Sequence, residues 1–257
     1  MRLLIYSLLV VAAAYIVLCG FLFLFQRSLI YFPQPASNPE SIARMTLQAG
    51  AEQVLVSMRP HDGPDALIYF GGNAEDVSFN IPDFSKAFPR RAIYLLHYRG
   101  YGGSTGSPSE EALFADALAL FDRVHPLHPN IAVIGRSLGS AIAVHLASQR
   151  AVMHLILITP FDSLQGIAAL HFPYMPVRWL LRDKYESWRY APEVTAPSLI
   201  VTAERDEIIP RASTELLRTR FSNAPVAFVV IPGAGHNAIS DSADYLPLLS
   251  KGAGPTG

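Results

Sequence analysis

The stretch Ile131-Ala-Val-Ile-Gly-Arg-Ser-Leu-Gly-Ser-Ala-Ile-Ala-Val144 decides the fold. Ile131 to Ile134 is an apolar run of strand character. Gly135-Arg136-Ser137-Leu138-Gly139 fits G-x-S-x-G, and Ser140 to Gln149 reads as the helix that follows. A strand–turn–helix of this kind strains the backbone at the central serine and lifts its hydroxyl above the sheet. Glycines at 135 and 139 are needed because a side chain there would collide with the adjoining strand or helix. Three fixed positions also match by chance, so the placement between strand and helix carries the reading.

On either side of this turn, apolar runs alternate with helical patterns. Strands are expected at Ala66–Phe70, Arg91–Tyr98, His154–Thr159, Leu199–Ala203 and Ala227–Ile231, and an opening hairpin from Met45–Leu47 and Gln53–Met58. This alternation predicts an α/β domain with a mostly parallel sheet covered on both faces. Ser107-Pro108-Ser109-Glu110 reads as a capping box with proline at the first helical position. Apolar residues at 113, 114, 117, 118, 121 and 124 then place one helical face against the sheet. The glycine-rich Arg99–Gly106 loop lacks a following G-K-[ST], so it reads as a turn rather than a phosphate cradle.

The chain has 257 residues, is 51% hydrophobic and carries a formal net charge of −1. That suits one α/β domain and gives no electrostatic footprint for nucleic acid. The single cysteine, Cys19, excludes an intrachain disulfide, and the eight scattered histidines form no H-x-x-x-H pair, so neither a metal nor a cofactor is expected.

Leu3 to Phe25 is 23 residues without a charge, flanked by Arg2 and Arg27. A helix of that length spans about 34 Å, enough for the hydrocarbon core of a bilayer. A cleavable signal would have a shorter apolar core, and Leu18 and Phe21 suit a lipoprotein signal at Cys19 poorly. A retained signal-anchor over residues 1–30 is the expectation, with Arg27, Tyr31 and Phe32 marking the far interface. Its setting would be a bacterial inner membrane, single-pass, with the domain outside the cytoplasm. Pro33–Pro39 reads as a linker and Gly252–Gly257 as a disordered tail, leaving 31–251 as the folded domain. Within it, Phe161–Pro197 is irregular and rich in aromatics and prolines. It reads either as a lid or as a segment that merely packs on the domain. Phe172, Tyr174, Met175 and Trp179 are its candidate substrate contacts.

Serine-based acyl transfer needs an activated hydroxyl, a base, an acid that orients the base, and donors for the oxyanion. Ser137 takes the first role. His236, in Gly233-Ala-Gly-His-Asn237, follows the last strand, and Asp206 follows the strand before it. All three fall at strand C-termini, where open parallel sheets put their sites. Glu204 and Asp162 compete for the acid, and His97, His145 and His154 are weaker bases by position. The backbone amides of Leu138 and Asn73 are the expected oxyanion donors.

Gly71-Gly72-Asn73-Ala74, Tyr98-Arg-Gly-Tyr-Gly-Gly-Ser104, the serine turn, Thr159-Pro-Phe-Asp-Ser163, Asp206-Glu-Ile-Ile-Pro210 and Gly235-His-Asn237 together resemble the α/β-hydrolase superfamily. They are most similar to its serine aminopeptidase-like and membrane-anchored, depalmitoylase-like members. The resemblance runs from about Leu29 to Tyr245 and includes Leu29-Ile-Tyr-Phe-Pro33 after the apolar helix. It implies the α/β-hydrolase fold, a Ser137–Asp206–His236 triad and an amide donor at Asn73. Gly71 stands where such proteins usually carry His, which leaves the oxyanion loop without one expected brace, and His97 stands where they usually carry Asp. An anchored hydrolase of acyl esters or thioesters is the leading expectation, acting on a small acylated or lipid-like substrate. A serine aminopeptidase, which needs an acidic pocket for a free amine, and an inactive anchored scaffold are the alternatives.

Overall fold

The computed structural model describes residues 1–35, 37 and 42–256. The chain runs α1 (Arg2–Ile30), β1 (Ala43–Ala49), β2 (Glu52–Arg59), β3 (Asp65–Phe70), α2 (Ile81–Ala87), β4 (Ala92–Leu96), α3 (Glu110–Val124), β5 (Asn130–Arg136) and α4 (Leu138–Gln149). It continues through β6 (His154–Ile158), α5 (Leu164–His171), α6 (Val177–Leu180), α7 (Ser187–Tyr190), β7 (Ser198–Arg205), α8 (Arg211–Arg218), β8 (Val226–Gly235) and α9 (Tyr245–Gly252). The eight strands form one sheet in the order β1-β2-β4-β3-β5-β6-β7-β8. Pairing is antiparallel at β1–β2 and β2–β4 and parallel from β4 through β8.

Strand residues feed two cores in alternation, as the period of two requires. From β3, Ala66, Ile68 and Phe70 enter the core that includes α3 and α4, while Leu67 and Tyr69 enter the core that includes α2 and α9. Central strands buried on both faces are therefore continuously apolar, which is why β3, β5 and β6 were legible as unbroken runs. After β3 the chain crosses to β4 on one side, and after β4 it crosses back to β5 on the other. The reversal leaves a crevice at the C-terminal ends of β3 and β5, the place where open α/β sheets bind ligands.

Several local expectations need correction. The cap of α3 is Ser109, whose Oγ accepts from the Ala112 amide at 3.2 Å, so Pro108 lies outside the helix and Ser107 caps nothing. The Glu110 carboxylate accepts from the Lys184 amide at 2.6 Å, so it braces the segment between β6 and β7 rather than closing a capping box. Ala36, Asn38 and Pro39 of the expected linker lie outside the described residues, as does Gly257 of the expected tail. Residues 252–256 are not the loose end anticipated. The buried Arg91 guanidinium donates to the carbonyls of Ala253, Gly254 and Pro255 at 2.7, 3.0 and 3.3 Å.

Tyr31 also departs from its expected place at a lipid interface. It is buried, and its hydroxyl meets Tyr185 Oη at 2.7 Å and Asp183 Oδ2 at 3.1 Å. Arg27 donates to both oxygens of the same carboxylate at 2.9 and 3.2 Å. Gln26 holds the neighbouring backbone, its amide donating to Leu180 O at 3.0 Å and its carbonyl accepting from Arg182 N at 2.7 Å. The foot of α1 is thus clamped to the segment between β6 and β7. Its remaining length is apolar, exposed, and long enough to cross a bilayer.

Candidate active site

Ser137 sits at the apex between β5 and α4 with φ +50°, ψ −116°, a conformation few non-glycine residues adopt. The turn is held by the Ser137 amide on Ile158 O at 2.9 Å, and Ser140 Oγ donates to Ser137 O at 2.6 Å. The flanking glycines are steric necessities. A Cβ on Gly135 would stand 2.3 Å from Gly139 O, and one on Gly139 would stand 2.1 Å from Phe70 O. Removing both side chains lets α4 start directly over β3 and β5.

The three residues that the chain separates meet at this apex. His236 Nε2 lies 3.0 Å from Ser137 Oγ, and His236 Nδ1 lies 3.0 and 2.9 Å from the two Asp206 oxygens. An ionised carboxylate only accepts, so Nδ1 carries the proton, Nε2 is the acceptor, and the serine hydroxyl donates to it. Asp206 is fixed in turn by the amides of Ile208 and Ile209, which donate to Oδ1 at 3.0 and 2.7 Å. The Asp206 and His236 side chains are each 4% exposed, so the two groups meet in a poorly solvated setting. Glu207 accepts from the His236 amide at 3.0 Å, and that bond leads the contributions that lower its carboxyl pKa. The rival groups lie elsewhere. Asp162 accepts from Ser213 Oγ, Glu204 accepts from the Gly233 amide, and His145 stacks on Phe114 with centroids 3.9 Å apart. Burial lowers the pKa of His97 and of His145 to about 4, so neither is charged near neutrality.

Leu138 opens α4, where first-turn amides have no partner within the helix and the dipole favours negative charge. The Asn73 amide has no acceptor among the described residues, and Asn73 shares a cavity with Ser137, Leu138 and His236. Gly71 creates no gap in this loop. A Cβ there would stand 2.6 Å from Val77 Cγ1, and the bracing comes from Glu75, a residue that sequence reasoning missed. Glu75 accepts from Tyr69 Oη at 2.7 Å, from the Gly72 amide at 2.7 Å and from Asn80 Nδ2 at 2.6 Å. Arg136 lies 3.7 Å from the same carboxylate and donates to Asn237 O at 3.1 Å, linking the Asn73 loop to the His236 loop. The signal was present as an acid three residues beyond Gly72, the spacing at which a side chain closes back on a backbone amide.

The cavity above Ser137 holds about 600 Å³ and is apolar apart from a few groups near its floor. Of the four candidate substrate contacts, Phe172 and Met175 line it. Tyr174 and Trp179 do not: they are 87% and 83% exposed. Pro173 and Pro176 turn the backbone so that 172 and 175 face inward, and Trp179 takes the far side of one-turn α6, opposite Val177 and Leu180. The fourth wall is α1, through Leu22, Gln26, Leu29 and Ile30, spaced to share one helical face.

A parallel sheet with a strained serine at its switch point defines an α/β hydrolase, and the chain belongs to that family: residues 93–243 match the alpha/beta hydrolase domain model. An uncharacterized protein of Mycobacterium tuberculosis is 39% identical over 82% of this chain and 80% of its own length. Protein bem46 of Schizosaccharomyces pombe is 30% identical over 95% of this chain and 91% of its own. Human alpha/beta hydrolase domain-containing protein 17B is 30% identical over 72% of this chain and 65% of its own. Among solved structures, Pyrococcus furiosus esterase Pf2001 superposes with a TM-score of 0.67 at 13% identity, covering 86% of this chain and 95% of that one. This last likeness bears on the fold.

Proposed function

We propose that the protein is a membrane-anchored serine hydrolase that cleaves acyl esters or thioesters with lipid-like acyl groups. The observation that carries this reading is the unbroken Ser137–His236–Asp206 relay opening onto an apolar cavity. His236 Nε2 takes the Ser137 proton as Oγ attacks the acyl carbon, and Asp206 stabilises the imidazolium that forms. The carbonyl oxygen, now an oxyanion, receives the Leu138 and Asn73 amides; one such donor is worth about 10²–10³ in turnover. The imidazolium then protonates the departing alcohol or thiol. Water, deprotonated by the same nitrogen, attacks the acyl-enzyme and restores Ser137.

An aminopeptidase reading would require a carboxylate in the cavity to receive a free amine. Among the described residues that line it there is no Asp or Glu, and Asp183 and Glu186 are engaged by Arg27 and Arg189. An acid-free wall favours an acyl chain. The intact relay likewise weighs against an inactive scaffold. We assign α1 as the anchor in a bacterial inner membrane with the domain outside the cytoplasm, and residues 161–197 as the lid. A fluorophosphonate is expected to label the whole chain and to leave Ser137→Ala unlabelled. Equal labelling of the two, or none of the wild type, would reject the assignment. Within p-nitrophenyl acyl esters, kcat/KM is expected to rise from short to long chains.

A further inference from the structure

α1 does more than tether the domain. The segment from α5 to α6 climbs alongside it for much of its length. Tyr15 Oη donates to Tyr174 O at 2.7 Å, Cys19 Sγ lies 4.0 Å from Met175 Sδ, and the Arg182 guanidinium covers the Phe23 ring at 4.1 Å. The last uncharged residue of the apolar stretch is Phe25, so the contact at Tyr15 lies about 15 Å deeper along the helix axis. That is half of a hydrocarbon core about 30 Å thick. If this segment stood in water, only Leu3–Ala14 would remain to cross, about 18 Å of helix, which is too short.

We infer that the tip of this segment, around Phe172–Trp179, is immersed in the proximal leaflet of the membrane that holds α1, so that the cavity opens toward hydrocarbon rather than water. The inference rests on α1 being a membrane anchor. Three further features fit it. Leu170, Tyr174 and Trp179 point outward on this tip and cavity-lining Phe172 is half-exposed, so large apolar groups are exposed beside a helix that is itself apolar and exposed. The tip's backbone is largely closed on itself. The amides of Phe172, Met175, Val177, Trp179, Leu180 and Leu181 donate to nearby carbonyls, positions 173 and 176 are prolines with no N–H, and Tyr174 O takes the Tyr15 hydroxyl. Irregular backbone survives in a low dielectric only when satisfied in this way, and the same bond satisfies the Tyr15 hydroxyl midway along an uncharged stretch. Finally, residues 164–182 contain no acid, and their two arginines, Arg178 at the edge of the tip and Arg182 just behind it, have side chains long enough to snorkel toward anionic headgroups. A substrate's acyl chain would pass between α1 and the tip without leaving the leaflet, following the wall from Leu22 to Ile30 down to Ser137.

The two tryptophans permit a direct test. The whole chain is reconstituted into phosphatidylcholine–phosphatidylglycerol vesicles, with and without phosphatidylcholine brominated on its acyl chain. Trp179 is isolated by Trp188→Phe, and independently as the difference between wild type and Trp179→Phe, a substitution at an exposed site. The expected result is that the protein floats with the vesicles, that brominated lipid removes most of the Trp179 emission, and that half-buried Trp188 keeps most of its own. Flotation with Trp179 unquenched and emitting as in water would overturn the immersion and leave the anchor standing. Failure to float would overturn the anchor and the immersion together.

Discussion

Replacing Glu75 tests whether the Asn73 loop is held by that carboxylate. In Glu75→Ala, Tyr69 Oη loses its acceptor inside a fully buried site, at about 1–3 kcal/mol. The Gly72 amide and Asn80 Nδ2 are partly exposed, so water replaces much of what they lose, about 0.5–1.5 kcal/mol each. The sum is about 2–6 kcal/mol against an ordinary stability of about 5–15 kcal/mol, so folding is checked beside activity. The larger consequence is functional. Gly72 is no longer pinned, Asn73 is its neighbour, and Arg136 loses the anion 3.7 Å away while still holding the His236 loop through Asn237. Turnover of a short, soluble ester is expected to fall toward the ~10²–10³ cost of one oxyanion donor, with KM little changed. Glu75→Gln should recover much of it, because its carbonyl can face Gly72 N while its amide donates to Tyr69 Oη. Steady-state kinetics beside urea unfolding separate the two effects. A Glu75→Ala variant that loses stability yet keeps wild-type kcat would refute the positioning role.

A Cβ at Gly139 would stand 2.1 Å from the Phe70 carbonyl, a backbone atom that cannot swing aside, so Gly139→Ala should abolish fluorophosphonate labelling and lower Tm; wild-type labelling would contradict the packing described for α4. Unfolded histidine binds its proton near pH 6.5, whereas buried His97 and half-buried His145 resist until about pH 4. Stability should therefore be full above pH 6.5 and decline as pH falls toward 4, because the unfolded chain binds more protons there. His145→Leu should make that decline shallower, read as urea midpoint against pH, and an unchanged slope would show that His145 does not contribute.

The sequence made most of the sheet visible because the middles of β3, β5 and β6, and β7 as far as Ala203, are buried on both sides and therefore mostly apolar. The elbow and Asp206 were legible because each closes such a strand, and His236 because it follows the apolar run of the edge strand β8, so locating the strand located the group. What stayed hidden depended on side-chain direction or on partners distant in sequence. Tyr174 and Trp179 look like Phe172 and Met175 in composition, and only the turns at Pro173 and Pro176 send them outward. Tyr31 has the character of an interfacial aromatic until Asp183 and Tyr185, over 150 residues later, meet its hydroxyl. The C-terminal residues looked loose because nothing local reveals that Arg91 will collect the carbonyls of Ala253, Gly254 and Pro255.

Because Leu22, Gln26, Leu29 and Ile30 form one side of the chamber over Ser137, the first thirty residues cannot be discarded as a mere leash. A version of the protein begun at Tyr31 for ease of purification would strip that side away, free Asp183 of its Arg27 partner and leave the cavity gaping. Whatever chain-length preference such a shortened enzyme displayed would describe the damaged groove, not the one the full polypeptide builds.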